Sequence, residues 1–191
     1  MRTDPEDHLT KAPGTIESIR GLLNTWAIPN DTRQPTDELP SLFADREQWA
    51  ERFPDIRFPR RIAERSQIEA LRSTLRTSLS DRPASGLDAL LAAQRWRISV
   101  DPPGGTLRWM VDPASAVGDG LAIVVDALIA RSWSRLRACP DCQWVFYDTS
   151  RNGQRTWCSM IAGDGARGCG SIAKTRAYRQ RQRAEAGSHA S

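Results

Sequence analysis

The chain has 191 residues, 39% of them hydrophobic and 26% charged, with a formal charge of +4 and four cysteines. No apolar run approaches the ~20 residues needed to cross a bilayer and no cationic, apolar leader is present, so a membrane span is excluded and a reducing cytoplasm is the expected setting. The only histidines, His8 and His189, lie near the termini, and there is no Gly-rich phosphate loop. A Ser-His or Cys-His nucleophile would lack its base in the folded region, so an enzyme is not expected.

Residues 1–12 are polar and read as a mobile N-terminus, and 13–130 as one mostly helical domain. Ile16, Ile19, Leu22, Leu23 and Trp26 recur at helical spacing up to Pro29. Within that stretch Asn24 is a candidate for lining a small-molecule pocket, the alternative being a helix cap or a buried hydrogen-bond pair. A turn-rich link leads to a short helix with Trp49 and Phe53. A longer helix follows with Ile68, Leu71, Leu75 and Leu79, near whose start Ser66 and Glu69 have capping-box spacing. Leu87, Leu90 and Leu91 mark another helix. The period then changes to two: Ile98 and Val100 before Pro-Pro-Gly-Gly, and Leu107, Trp109 and Val111 after it, predict a hairpin near 97–111 with one apolar face. From Leu121 through Val124, Val125, Leu128, Ile129 and Trp133 to Leu136 the pattern predicts the most hydrophobic helix of the chain, running almost into the cysteine-bearing segment.

Residues 131–185 carry all the cysteines: Cys139 and Cys142 as C-x-x-C, then Cys158 and Cys169. Two cysteines on a tight knuckle and two from later segments suit the tetrahedral shell of one structural Zn2+, although the second pair is spaced far more loosely than the first. A redox C-x-x-C opens a helix after a strand, whereas here the strand-like QWVFY comes after the motif, and a disulfide does not suit a reducing compartment. Asn152-Gly153 is a strong hairpin signal, so the strand around Val145–Tyr147 is expected to turn there and bring Cys158 back to the knuckle. Knuckle, hairpin and a helix rooted at Cys169 make a treble-clef-like module. Four thiolates close the metal shell and leave no coordination position for a substrate.

The segment after Cys169, GSIAKTRAYRQRQRA, lacks Pro and reads as a helix, with 186–191 a tail. At about 100° per residue Ala173, Ala177 and Ala184 share a narrow face suited to close packing, and Lys174, Arg176, Arg179, Arg181 and Arg183 point elsewhere. From Arg131 onward eleven basic residues face four acidic ones, a local +7 that leaves −3 for the remainder of the chain. The positive half coincides with the cysteine module, as in a phosphate-binding end. The candidate nucleic-acid contacts are Arg151, Arg155, Lys174, Arg176, Arg179, Arg181 and Arg183.

The stretch RLRACPDCQWVFYDTSRNGQRTWCSM, continued by CGSIAKTRAYRQR, resembles the CGNR zinc finger of bacterial proteins with an N-terminal ABATE domain. The N-terminal likeness, in IRGLLNTW and QIEALRSTL, is looser. The resemblance implies a stress-induced transcription regulator. Two departures stand out: IAGDGARG (161–168) widens the gap between the last two cysteines, and Cys169-Gly170 continues into Ser171-Ile172 instead of Asn-Arg. The expected fold is mainly α with a small β-hairpin (α+β), a helical domain followed by the zinc module. The expected function is a zinc-stabilised DNA-binding regulator whose N-terminal domain senses a signal or forms a homodimer. The alternative is an adaptor whose finger binds RNA or an acidic protein.

Overall fold

The computed structural model describes residues 11–29, 32–80, 85–101, 104–159 and 168–188, without the side chains of 80, 85, 101 and 183–188. His8, His189, the Pro102-Pro103 turn, residues 161–167 of the insertion and the Arg183 side chain therefore fall outside the described residues. Among the described residues there are seven α-helices and three two-stranded antiparallel sheets, an α+β architecture.

Order is already established at the end of the stretch read as mobile: Ala12 is buried and its N–H meets Glu17 Oε2 at 2.7 Å. Helix α1 (Ile16–Leu23) buries Ile16, Ile19, Leu22 and Leu23, and stops there because the Thr25 hydroxyl takes the Leu22 carbonyl. Trp26 thus falls outside the helix predicted to hold it, in strand β1 (Trp26–Ala27), which pairs with β2 (Thr36–Asp37). After the single turn α2 (Leu39–Leu42), helix α3 (Arg46–Arg52) is capped by Asp45, whose side chain accepts from Glu47 N and Gln48 N. Trp49 stacks among Phe43, Phe53 and Phe58 and donates its indole N–H to Ile56 O at 2.8 Å.

Helix α4 (Ile62–Ser80) begins earlier than the capping-box reading required, so Ser66 lies inside the helix. Glu64 is the residue that reaches back, accepting from Arg60 N at 2.8 Å. The stripe Ile68, Leu71, Leu75 is fully buried as its spacing predicts. Helix α5 (Ser85–Ala92) precedes the hairpin of β3 (Trp96–Asp101) and β4 (Thr106–Val111), paired from Trp96↔Val111 to Asp101↔Thr106. Only the base of its apolar face is covered: Val111 is buried, while Ile98, Val100 and Leu107 are 57%, 60% and 58% exposed.

Helix α6 (Ala116–Ile129) is the central element, touching α1, α4 and β4. A Cβ on Gly118 would come within 2.7 Å of Val111 Cβ and one on Gly120 within 2.9 Å of Leu71 Cδ2, so these glycines set how closely β4 and α4 approach. The helix does not run to the cysteines. It ends at Arg131, whose φ of 57° is the left-handed conformation typical of the position after a helix, and Trp133–Arg135 form a 3-10 turn. Strand β5 (Leu136–Ala138) follows and pairs with β6 (Val145–Tyr147). The partner of β6 is therefore the strand before the knuckle rather than a returning strand after Asn152-Gly153, because the knuckle itself makes the reversal. Residues 154–159 return without a strand. Helix α7 (Cys169–Ser188) closes the described chain and passes the predicted end at 185.

The core does not stop at residue 130. Leu136 and Val145 are fully part of the cluster built on α1, α4 and α6, with Ala138 and Tyr147 packed against it. A smaller cluster holds Cys139, Cys142, Cys169 and Phe146, flanked by Trp144, Trp157 and Cys158.

Candidate metal centre

The knuckle occupies the tip of the β5–β6 hairpin. Cys139 N–H donates to Trp144 O at 2.9 Å and Gln143 N–H to Cys139 O at 2.8 Å, with Gln143 at φ 61° completing the reversal. This loop directs Cys139 and Cys142 to one side. Cys158 arrives on the irregular return segment, and Cys169 is the first residue of α7, tied to that segment by Gly170 N–H to Ser159 O at 2.9 Å. All four Sγ atoms lie within 4.8 Å of one another, with Cys142–Cys158 at 3.4 Å and Cys158–Cys169 at 3.7 Å. A Zn–S bond of about 2.3 Å in a tetrahedron requires S···S edges of about 3.8 Å, so the donor set fits one zinc ion. Cys169 belongs to the set despite the inserted loop.

The thiol electrostatics say the same. Hydrogen bonds from Cys142 and Cys158 hold Cys139 far toward the thiolate. Cys142 and Cys158 are pushed up, first because their protons are held by Cys139, and Cys169 is pushed up by burial and then by the neighbouring negative charge. Without a cation, a thiolate in the cluster disfavours ionisation of its neighbours. A divalent ion is what permits four thiolates within van der Waals distance.

The return segment is shaped by Asp148 and three arginines. Asp148 is 1% exposed and its carboxylate accepts from Ser150 N and Arg155 N, both at 2.9 Å, with Arg137 Nε at 3.6 Å. Burial works to raise its pKa, but these hydrogen bonds and the Arg137 charge prevail and hold it below the ordinary value. Arg135 donates to Ser150 O at 2.6 Å, and Arg137 to Gly153 O at 2.5 Å. Arg155 lies 5.1 Å above the Phe146 ring and donates to the carbonyls of Trp157 and Cys158. Its guanidinium thus holds the Cys158 loop, a structural role for a residue expected to contact nucleic acid. Arg151 is exposed.

On its other side the knuckle is fastened to the helical part. The Asn24 side chain donates to Val145 O at 2.8 Å and accepts from Val145 N at 2.7 Å, with the residue 4% exposed. Both ends of its amide are engaged, so Asn24 is the buried hydrogen-bond pair and not a pocket wall. Buried Arg20, paired with Glu17 at 2.6 Å, lies 5.9 Å from the Trp144 ring. Arg76 donates to Leu23 O, Trp26 O and Gln143 O at 2.7, 3.1 and 2.8 Å, and desolvation pushes its pKa down to about 10, so it stays charged at neutral pH. Arg72 next to it holds Asp37 by two bonds of 2.6 Å, which keeps that carboxyl below its usual range. Ile28 N–H donates to Cys142 O at 3.1 Å. Sequence reading missed these arginines; the visible signal was Arg72 and Arg76, four apart beside Leu71 and Leu75, where a purely solvated cation is unexpected.

Helix α7 behaves differently. Its start is buried, but every residue from Lys174 to Gln182 is exposed, including Ala177. Among the described residues, the small-residue face is half-buried at Ala173 and exposed at Ala177. Lys174, Arg176, Arg179 and Arg181 project from this stretch, with Arg176 reaching Asp141 at 3.2 Å, where Arg33 also binds at 3.3 Å. No curated protein matches the chain. Residues 135–182, which span both cysteine pairs and the exposed basic helix, match the CGNR zinc finger family.

Proposed function

We propose that the protein is a zinc-stabilised, DNA-binding transcription regulator of the cytoplasm, without enzymatic activity, in which the N-terminal ABATE-like part senses a signal or mediates dimerisation. The observation that carries the reading is the lower half of α7. A helix anchored at a metal ligand and exposed around its whole circumference, with four cations and no acid between Lys174 and Gln182, has the size and charge to enter a groove of a polyanion. The anchoring matters because a recognition helix gains specificity when its direction is fixed. The exposed hairpin face of Ile98, Val100 and Leu107 is a surface that a dimerisation unit would use.

The test is a mobility-shift titration on duplex DNA at several salt concentrations. Binding should weaken steeply with salt, and Arg176→Ala/Arg179→Ala/Arg181→Ala should lower the slope of log K against log salt by about 0.9 for each phosphate no longer neutralised, while zinc remains bound. A triple variant that binds as the parent does would refute the reading. One observation favours an RNA-binding adaptor as the second reading: Tyr178, among these cations, is 58% exposed and could stack on an unpaired base. Tyr178→Ala should then weaken single-stranded RNA and spare duplex DNA.

A further inference from the structure

The groove between α3, the segment after it and the start of α6 has about 420 Å³ of free volume and no part in the metal centre or the basic helix. Its apolar lining comprises Ala50, Pro54 and Phe58 together with the buried Trp49 and Phe53. Its rim is cationic: Arg46, Arg57 and Arg60 line it. The single lining carboxylate, Glu64, is already engaged by Arg61 at 2.8 Å and by the Arg60 and Arg61 amides. Asp119, below the rim, is engaged by Arg57 through Nε at 2.6 Å and Nη2 at 2.9 Å, which fixes that guanidinium in place. Arg46 and Arg60 have no side-chain partner among the described residues. Ser115 and Ala116, at the positive end of the fourteen-residue helix α6, form the far wall.

A groove of this size, lined by apolar and polar groups alike, with two guanidinium groups that have no side-chain partner among the described residues and one immobilised guanidinium, selects a ligand with the complementary division. We propose that this groove binds a small organic anion, a carboxylate or phosphate monoester carried on an aromatic or short alkyl body. The body lies on Phe58 and Pro54 and the anionic head meets Arg46 and Arg60. Guanidinium forks bind both head groups through paired hydrogen bonds, and the volume falls within the range of small-molecule sites. The proposal deepens the sensor reading of the N-terminal part, but it is measured on the protein alone, so failure of DNA binding leaves it standing.

The experiment uses the full, zinc-loaded chain, labelled with nitrogen-15, and follows the seven tryptophan indole N–H signals, with Trp49 assigned through Trp49→Phe. Phenylacetate and phenyl phosphate are titrated separately, with neutral phenylacetamide as the comparator. At least one anion should shift the Trp49 signal saturably, with phenylacetamide about tenfold or more weaker, and Arg46→Gln/Arg60→Gln should weaken the anion by about tenfold while leaving the ligand-free Trp49 position in place. A response to phenyl phosphate alone assigns the head group as phosphate, and a response to phenylacetate alone as carboxylate. No saturable Trp49 shift with either anion, equal binding of the amide, or undiminished binding by a double variant that keeps the ligand-free spectrum would overturn it.

Discussion

The two halves of the cysteine module meet at one metal centre but are held by different forces. The knuckle half, β5 to β6, is fastened to the helical part by Asn24, Arg20 and Arg76 and shares its core through Leu136 and Val145. The helix half leaves the metal and is exposed at every residue from Lys174 to Gln182, with Arg176 reaching Asp141. Burial on one side and exposure on the other teach that the metal centre is a joint: it ties the core to a helix whose packing, among the described residues, is confined to its first turn. Residue numbers 130 and 131 divide the sequence by composition, not the molecule by packing.

The largest effect should follow removal of the joint. Structural zinc contributes roughly 10–16 kcal/mol in comparable modules, and because β5 and β6 belong to the main core, Cys142→Ser should lose the metal and also lower the thermal midpoint of the helical part. Elemental analysis and far-ultraviolet melting check this; a helical part that melts as the parent does would show that the two halves are independent after all. Acid should act on the same joint. With Cys142, Cys158 and Cys169 pushed up in the metal-free cluster, zinc entry must displace thiol protons, so the metal-bound state is favoured as pH rises and lost as pH falls. Zinc release to a chromogenic chelator should steepen with falling pH, and calorimetry in buffers of different ionisation enthalpy should count the protons.

A smaller loss is expected at the seam. Asn24→Ala leaves both the N–H and the carbonyl of Val145 without their main partner in a buried site, a cost of about 2–3 kcal/mol. Chemical denaturation should register it while the zinc stoichiometry stays at one. The smallest effect belongs to the exposed half: Arg176→Ala/Arg179→Ala/Arg181→Ala should change stability by less than about 0.5 kcal/mol per site, since exposed charges contribute little. A large destabilisation there would mean that α7 packs against something in solution.

Much of the molecule was legible in the sequence. The apolar stripes of α1, α4 and α6 and the alternation of β3 and β4 follow from side-chain period alone, which each element satisfies locally. The four ligands were legible because thiolates that must share one ion need no information beyond their presence and approximate spacing. Boundaries and partners were not. Trp133 and Leu136 keep the helical period and so prolong α6 on paper, yet the left-handed turn at Arg131 ends it, and an Arg carries no sequence mark of that conformation. Asn152-Gly153 does turn the chain, with Gly153 at φ 58°, but the knuckle had already supplied β6 with a partner.

By itself, then, the sequence determined the elements, the metal donors and the charge division, all properties of residues within a few positions of one another or of a shared chemical demand. The tertiary structure alone decided which polar groups meet. Asn24 reads either as a pocket residue or as half of a buried hydrogen-bond pair, and what decides is Val145, 121 residues away, which only folding brings near; Arg155, read as a nucleic-acid contact, turns back on the carbonyls of Trp157 and Cys158. Exposed Arg179 and Arg181, with no side-chain partner among the described residues, remain available for the converse reason. A hydrogen-bonding group finds its partner by proximity in space, which side-chain period does not encode, so the division between arginines that build this fold and arginines that face solvent emerges only when the chain is folded.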